Sequence, residues 1–174
     1  MDSVKEGDLN KMSLLFDRHN RKLFGYFYRL TNNGEKSEDM VQMVFYRMLK
    51  YRHAFRGEGK FIYWMYSIAK NIWLDYLKKK NIIDYGNKET ELLTYPNREK
   101  SGEELLIATE RKQLLKIAMQ QLTPEKREAI VLSKYQGLRY QEIAELANCT
   151  ESTIKSRVHR GLMDLKTILE KLEL

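Results

Sequence analysis

The chain has 174 residues, with 31 Lys and Arg against 24 Asp and Glu, 43% hydrophobic and 32% charged residues, and only 9 Gly and 2 Pro. So few turn formers cannot punctuate an all-β sandwich or barrel, and so much charge needs a large wet surface, which suits small helical bundles better than one thick globule. A single cysteine, Cys149, excludes a disulfide framework within the chain and any multi-thiolate metal site.

The opening residues MDSVKEGDLNK are acidic and polar where a signal peptide needs a basic stretch followed by an apolar one. No run approaches the ~18 apolar residues of a membrane span. A cytoplasmic address with no membrane insertion is therefore expected. Residues 8 to 31 place Leu9, Met12, Phe16, Leu23, Phe27 and Leu30 at helical spacings, predicting one or two amphipathic helices that Asn32-Asn33-Gly34 stops. A second helix is predicted from about Ser37 to Tyr51, with Val41, Val44, Phe45 and Met48 on one face and Glu38-Asp39 at its positive end. The stretch Arg52 to Lys60, with Gly57 and Gly59, reads as a loop. A third helix runs from about Phe61 to Lys79 and buries Phe61, Met65, Ile68, Ile72 and Tyr76.

Residues 81 to 102 lose this period, turn acidic and collect Gly86, Asn87, Pro96, Asn97 and Gly102, the composition of a flexible linker. Periodicity returns over Glu103 to Leu122. Thr123 then stands as an N-cap before Pro124 at the first position of a helix that ends near Gly137. Two further helices follow, Tyr140 to Ala147 and, capped by Thr150, a last one to about Leu169. The expected fold is all-α: two small helical domains, residues 1–80 and 103–174, joined by the acidic linker 81–102, with a helix-turn-helix in the second.

That motif has its required parts. Ala144 is the small residue at the helix crossing, Asn148 takes the left-handed turn position, and Cys149, Ile154 and Val158 point inward. Ile154, Val158, Leu162 and Leu165 form the expected buried stripe of the last helix, which leaves Ser152, Lys155, Ser156, His159 and Arg160 on the opposite face. In a helix-turn-helix such a face enters the major groove, where Lys and Arg reach guanine O6/N7 and Ser bonds either kind of base edge. Lys155, Ser156, His159 and Arg160 are the candidate base readers, while Thr153, Arg157, Arg139 and Tyr140 are placed to hold phosphates.

Charge sharpens the picture. Residues 1–80 hold 16 basic and 9 acidic side chains, 81–106 hold 3 and 6, and 107–174 hold 12 and 9. Within 47–80 there are nine Lys and Arg against Glu58 and Asp75 alone, interleaved with Tyr51, Phe55, Phe61, Tyr63, Trp64, Tyr66, Trp73 and Tyr76. Basic plus aromatic is the composition that tracks a nucleic-acid backbone and stacks bases. It is equally the composition of a solvated helix face beside an aromatic core.

Both halves resemble the extracytoplasmic-function (ECF) group of bacterial RNA polymerase sigma factors. The N-terminal half is similar to sigma region two through Asp39, Gln42 and Phe45, the loop Phe55-Arg56-Gly57, and the helix bearing Phe61, Trp64, Ile68-Ala69, Asn71 and Asp75. The C-terminal half is similar to region four through Leu122-Thr123-Pro124-Glu125, Gly137-Leu138, Tyr140, Glu142-Ile143-Ala144 and the run Thr153 to Arg160. The resemblance implies a dissociable initiation subunit with core RNA polymerase and promoter DNA as partners, and it admits an anti-sigma factor as a third. It implies that Phe55, Arg56, Lys60, Trp64, Ser67, Lys70 and Asn71 recognise and melt the −10 element. Ser152, Thr153, Lys155, Ser156, Arg157, His159, Arg160 and Tyr140 would bind the −35 element, and Asp39, Gln42, Arg47 and Lys50 would dock on polymerase. From the residues alone Trp64 reads either as a wedge against melting bases or as a core aromatic. Three departures stand out: Ser67 where a basic residue is common, Asn148 for the usual turn glycine, and Glu151-Ser152 for a more apolar start to the recognition helix.

Nothing points to catalysis, a metal or a cofactor. His19, His53 and His159 are scattered, Cys149 is alone, and neither GxxxxGK[ST] nor GxGxxG occurs. The alternatives are a stand-alone helix-turn-helix regulator, which would bind duplex tightly without polymerase, and an RNA-binding helical protein, which would prefer structured RNA to a forked promoter.

Overall fold

Two asparagines in the left-handed conformation, Asn32 at φ 54° and Asn148 at φ 48°, each close a helix that the next helix follows within a few residues. Asparagine tolerates this region better than other residues with a Cβ, which is why it serves where glycine is usual. The computed structural model describes residues 1–55, 57, 61–86 and 103–172, and the side chains of all of these except 81–86 and 103–109. Every regular element in these residues is helical: α1 (Asp2–Lys5), α2 (Lys11–Thr31), α3 (Gly34–Lys50), a 3₁₀ turn (Arg52–Ala54), α4 (Phe61–Gly86), α5 (Glu103–Gln121), α6 (Pro124–Ile130), a π-helical segment (Val131–Tyr135), α7 (Tyr140–Ala147) and α8 (Glu151–Leu172).

Helices α2, α3 and α4 form the N-terminal bundle. Asn33 caps α3, its side chain accepting from the Lys36 amide at 2.9 Å. Leu23, Phe27 and Leu30 of α2, Val41, Val44 and Met48 of α3, and Met65, Ala69 and Ile72 of α4 fill the core. Each large apolar side chain removed from water contributes about 1.5 to 3 kcal/mol before entropy. The expected α2 stripe shortens at its start, because Leu9 is 50% exposed and precedes the helix, and Phe16 is 39% exposed. Phe16 keeps one face against Phe45, at 4.9 Å between centroids. Helix α4 continues through Gly86, six residues into the segment read as linker. Loss of the apolar period does not stop a helix, and the sequence has neither Gly nor Pro between Phe61 and Gly86.

In the C-terminal half Thr123 and Pro124 open α6 as expected, and the Thr150 hydroxyl accepts from the Thr153 amide at 3.2 Å to cap α8. The buried stripe of α8 is Ile154, Val158, Gly161 and Leu165, whereas Leu162 is 40% exposed. The expectation for Leu162 fails because the inward position belongs to the neighbouring glycine. A Cβ on Gly161 would stand 2.9 Å from Ile130 Cδ1 and 3.2 Å from Lys126 Cβ, so α6 and α8 cross where there is no side chain.

The two halves pack against each other through polar groups set into a continuous apolar core. Arg127 of α6 is buried, and its guanidinium donates to Leu30 O at the end of α2 and to Gln120 Oε1, Gln120 O and Leu122 O at the end of α5. Burial pushes its pKa down to about 10, which leaves it charged at neutral pH. Tyr26, fully buried and edge-on to Phe27 and Tyr66, donates to Glu128 Oε1 at 2.8 Å. Tyr66 donates to Gln136 Oε1 at 2.7 Å, Lys70 Nζ donates to Leu146 O at 2.8 Å, and the Arg29 guanidinium lies 4.1 Å from the Tyr135 ring centre.

Arg127→Ala should destabilise the protein by about 3 kcal/mol, because several buried carbonyls lose their donor at once. Arg127→Lys should recover only part of this, since one ammonium cannot replace the guanidinium fork. Equilibrium urea unfolding of the two variants checks the order.

Burial raises the Glu128 carboxyl above its ordinary value, with Glu125 adding to the rise and Lys70, Arg157 and the Tyr26 hydroxyl opposing it. An acid whose folded pKa is raised contributes stability below its unfolded pKa and loses it as pH rises through the folded value. Buried His19 works in the opposite sense: burial, then Arg18 and Lys22, lower its pKa, so its contribution is lost as pH falls. Comparison with Glu128→Gln isolates the carboxylate. As pH rises above the ordinary carboxylate range the wild type should lose a share of stability that the variant keeps, measured by melts across a pH series.

Candidate nucleic-acid interface

The buried stripe of α8 fixes what its other side shows. Ser152, Lys155, His159 and Arg160 are exposed, with Ser156 partly so, giving a polar face about two turns long on the second helix of the helix-turn-helix. Lys155 Nζ is paired with Glu151 Oε1 at 2.9 Å, the two side chains 60% and 46% exposed. Thr153 and Arg157 are placed differently. The Thr153 hydroxyl is 2.9 Å from that of Thr150 within the helix cap. Arg157 turns towards the helix-turn-helix junction, Nη1 lying 4.0 Å from Cys149 Sγ, and its charge acts on Glu128. Tyr140, the first residue of α7, is partly buried against the core. The expected phosphate ligand Arg139 is exposed, and its amide donates to Glu142 Oε2 at 2.8 Å.

On the N-terminal half, helical spacing divides the residues of α4 between two adjacent stripes. Trp64, Ser67 and Asn71 occupy one. Asn71 is exposed, the Ser67 hydroxyl donates back to Trp64 O at 2.7 Å, and the partly buried Trp64 ring sits 5.2 Å from Phe55. Tyr63, Tyr66 and Lys70 occupy the other, and this stripe faces the C-terminal half. Tyr66 meets Gln136, Lys70 meets Leu146, and Tyr63 lies near enough to Glu145 for that charge, after burial, to raise its pKa. Lys70 is thus a contact between the halves in this arrangement rather than part of the free surface.

Phe55 differs more sharply from its expected place among the residues that melt the −10 element. It is only 7% exposed, packs on Phe61 and Trp64, and its carbonyl accepts from Lys5 Nζ of α1 at 3.0 Å. An aromatic beside a tryptophan gains more by closing that cluster than by standing in water. Trp64 itself is partly buried in that cluster. Arg56 and Lys60 lie outside the described residues.

The exposed face of α3 carries Asp39, Gln42 and Lys50. Arg47 lies to one side and is bound to Asp75 of α4 at 3.0 Å. Sequence reasoning missed two members of this face, Met43 and Tyr46, 43% and 57% exposed. Large apolar groups that break the amphipathic pattern of a helix are the available signal for such a contact surface. Beside it a groove of about 380 Å³ opens between α2 and α3, lined by Phe16, Asn20, Arg21, Phe24, Glu38, Val41 and Gln42. Among the described residues no group of three or more His, Cys, Asp or Glu could hold a metal ion, and no helix is long and apolar enough to cross a membrane.

Comparison with known proteins covers both halves of the chain. Residues 15–82 match the family model of Sigma-70 region 2, and residues 112–165 match Sigma-70, region 4. The RNA polymerase sigma factor CarQ of Myxococcus xanthus is 31% identical over 175 residues, covering 100% of this chain and 98% of that protein. The ECF RNA polymerase sigma factor SigW of Bacillus subtilis is 31% identical over 176 residues, covering 97% and 94%. In fold, the chain is similar to the sigma factor RpoE solved with the anti-sigma factor NepR from Bartonella quintana (TM-score 0.73, 23% identity, 91% of this chain and 96% of that one). It is likewise similar to CnrH solved with the cytosolic domain of CnrY (TM-score 0.72, 18% identity, 98% and 94%). With region-two and region-four matches in order and relatives aligned over nearly their full lengths, the chain belongs to the extracytoplasmic-function group of RNA polymerase sigma factors, the alternative sigma factors that direct promoter-specific transcription initiation.

Proposed function

We propose that the two halves divide promoter recognition. The N-terminal one, read in the sequence as residues 1–80, captures and melts the −10 element, and the C-terminal one, residues 103–174, reads the −35 element through α8, with residues 81–102 spanning between them. The observation that carries this reading is the polar face of α8, held outward by a glycine-bearing buried stripe. Lys155 and Arg160 are long enough to reach guanine O6/N7, Ser152, Ser156 and His159 supply shorter polar contacts, and Tyr140, Thr153 and Arg157 fix the register on phosphates.

On α4, Trp64, Ser67 and Asn71 meet the unpaired strand, helped by Arg56 and Lys60 and with Phe55 supporting Trp64 from inside. Stacking on an aromatic returns roughly 1 to 3 kcal/mol per base against an unstacking cost of a few kcal/mol per step, so melting needs no nucleotide hydrolysis and the protein acts without catalysis of its own. Lys70 joins this surface once the C-terminal half moves off it, which reading both elements requires. Asp39, Gln42 and Lys50, with Met43 and Tyr46, form the polymerase-docking face, and Arg47 braces α3 on α4. The site of action is the cytoplasm, where polymerase and promoter are, and an anti-sigma factor is a further partner, as for the sigma factor RpoE solved with the anti-sigma factor NepR.

Run-off transcription with core polymerase on the DNA upstream of the protein's own operon tests the whole reading. Lys155→Ala and Arg160→Ala should each cost about 1 to 3 kcal/mol at the upstream element and relax its sequence preference. Trp64→Ala and Asn71→Ala should spare closed binding and impair transcription from duplex templates, with rescue on a pre-melted bubble. Equal loss on duplex and bubble would count against a melting role.

A further inference from the structure

We propose that Glu151 is a base-reading residue that selects cytosine at one position of the −35 element. This rests on α8 being the groove helix. Glu151 is the first residue of α8, and the N-terminal residues of a recognition helix are the ones that approach base edges. Its carboxylate is not needed as a cap, because Thr150 already accepts the Thr153 amide. It is exposed, and among the described residues its polar contact is Lys155 Nζ of the reading face at 2.9 Å.

An exposed pair of this kind adds little stability, and an anion here is repelled by every phosphate the helix approaches. What accommodates a carboxylate in the major groove is an amino group. Cytosine offers its N4 amino group alone, whereas adenine sets its N6 amino group beside the N7 acceptor, an arrangement that suits an amide better. The ion pair places an acceptor and a donor side by side, which is the complement of a G·C pair: Glu151 towards cytosine N4, Lys155 towards guanine O6 or N7. The carboxylate would also hold the lysine in place before contact and reject thymine and guanine, whose O4 and O6 would face it.

The experiment measures binding of holoenzyme, made from core polymerase and the full chain, to duplex promoters carrying each single base-pair substitution across the −35 element, at two salt concentrations. Wild type should prefer cytosine at one position by about tenfold, and Glu151→Gln should lose that preference in favour of adenine while leaving the other positions unchanged. Thermal melts of the variant should match wild type, since the side chain is exposed. If Glu151→Gln tightens binding to every sequence alike and steepens the salt dependence, the carboxylate acts only as an electrostatic brake and the proposal is overturned. Lys155→Ala and Arg160→Ala run in parallel separate the two levels. If they alter preference and Glu151→Gln does not, the groove reading stands and the Glu151 assignment fails. If wild type is indifferent to every upstream substitution, the groove reading fails and Glu151 with it.

Discussion

The arrangement of the molecule depends on one buried cation. Arg127 stands where α2 and α5 both end, and its guanidinium donates to carbonyls that the last turns of those helices leave without partners. A positive group at two negative helix ends is favourable twice over, and the planar fork lets one side chain serve both. Three of its four hydrogen bonds, to Gln120 and Leu122, knit α6 to α5 within the C-terminal half, and the fourth, to Leu30, crosses to the N-terminal half. The course of α6 follows from this contact, and with it the position from which the helix-turn-helix projects.

Just beyond α6 the chain widens into the π-helical segment Val131–Tyr135. An extra residue in a turn re-aims the side chains that follow, and here those are Tyr135, beneath the Arg29 guanidinium, and Gln136, which accepts from Tyr66 and donates to Lys22 O at 3.4 Å. Val131 and Leu132 stay fully or nearly buried in the same segment. One irregular turn thus holds the C-terminal core together and presents polar groups to the other half. The surfaces come out opposed: the polar face of α8 is open to solvent, while the Tyr63, Tyr66 and Lys70 stripe of α4 is turned inward.

The helices and their reversals were legible because they rest on local chemistry. Asn32, Asn148, Pro124 and Thr150 act within a few residues of themselves, and each takes the role its neighbours imply. Leu162 was misread for a related reason. An apolar pattern is counted from side chains, and the inward position is held by Gly161, which has none. Phe55 belongs to the stretch read as a loop, and its packing on Trp64 and Phe61 has no local pattern to announce it. The contact between halves was illegible altogether: Tyr26 and Glu128 are 102 residues apart, and a lone polar residue on an amphipathic helix has no period that announces its partner. The same holds for Met43 and Tyr46, whose exposure depends on which neighbours the bundle supplies.

The chemistry of that contact decides how readily it can be undone. Tyr26 to Glu128, Tyr66 to Gln136, Lys70 to Leu146 and Arg127 to Leu30 are hydrogen bonds between groups that water satisfies when they part, so each contributes on the order of 1 kcal/mol net rather than its full strength. The raised pKa of Glu128 records an opposing term, since its burial is unfavourable for the charged form. Ile130, Ile143, Ile154 and Val158 remain as a core for the C-terminal half, and Leu23, Phe27, Val44 and Met65 for the N-terminal one. An interface with this balance specifies one geometry through directional bonds without binding the halves permanently.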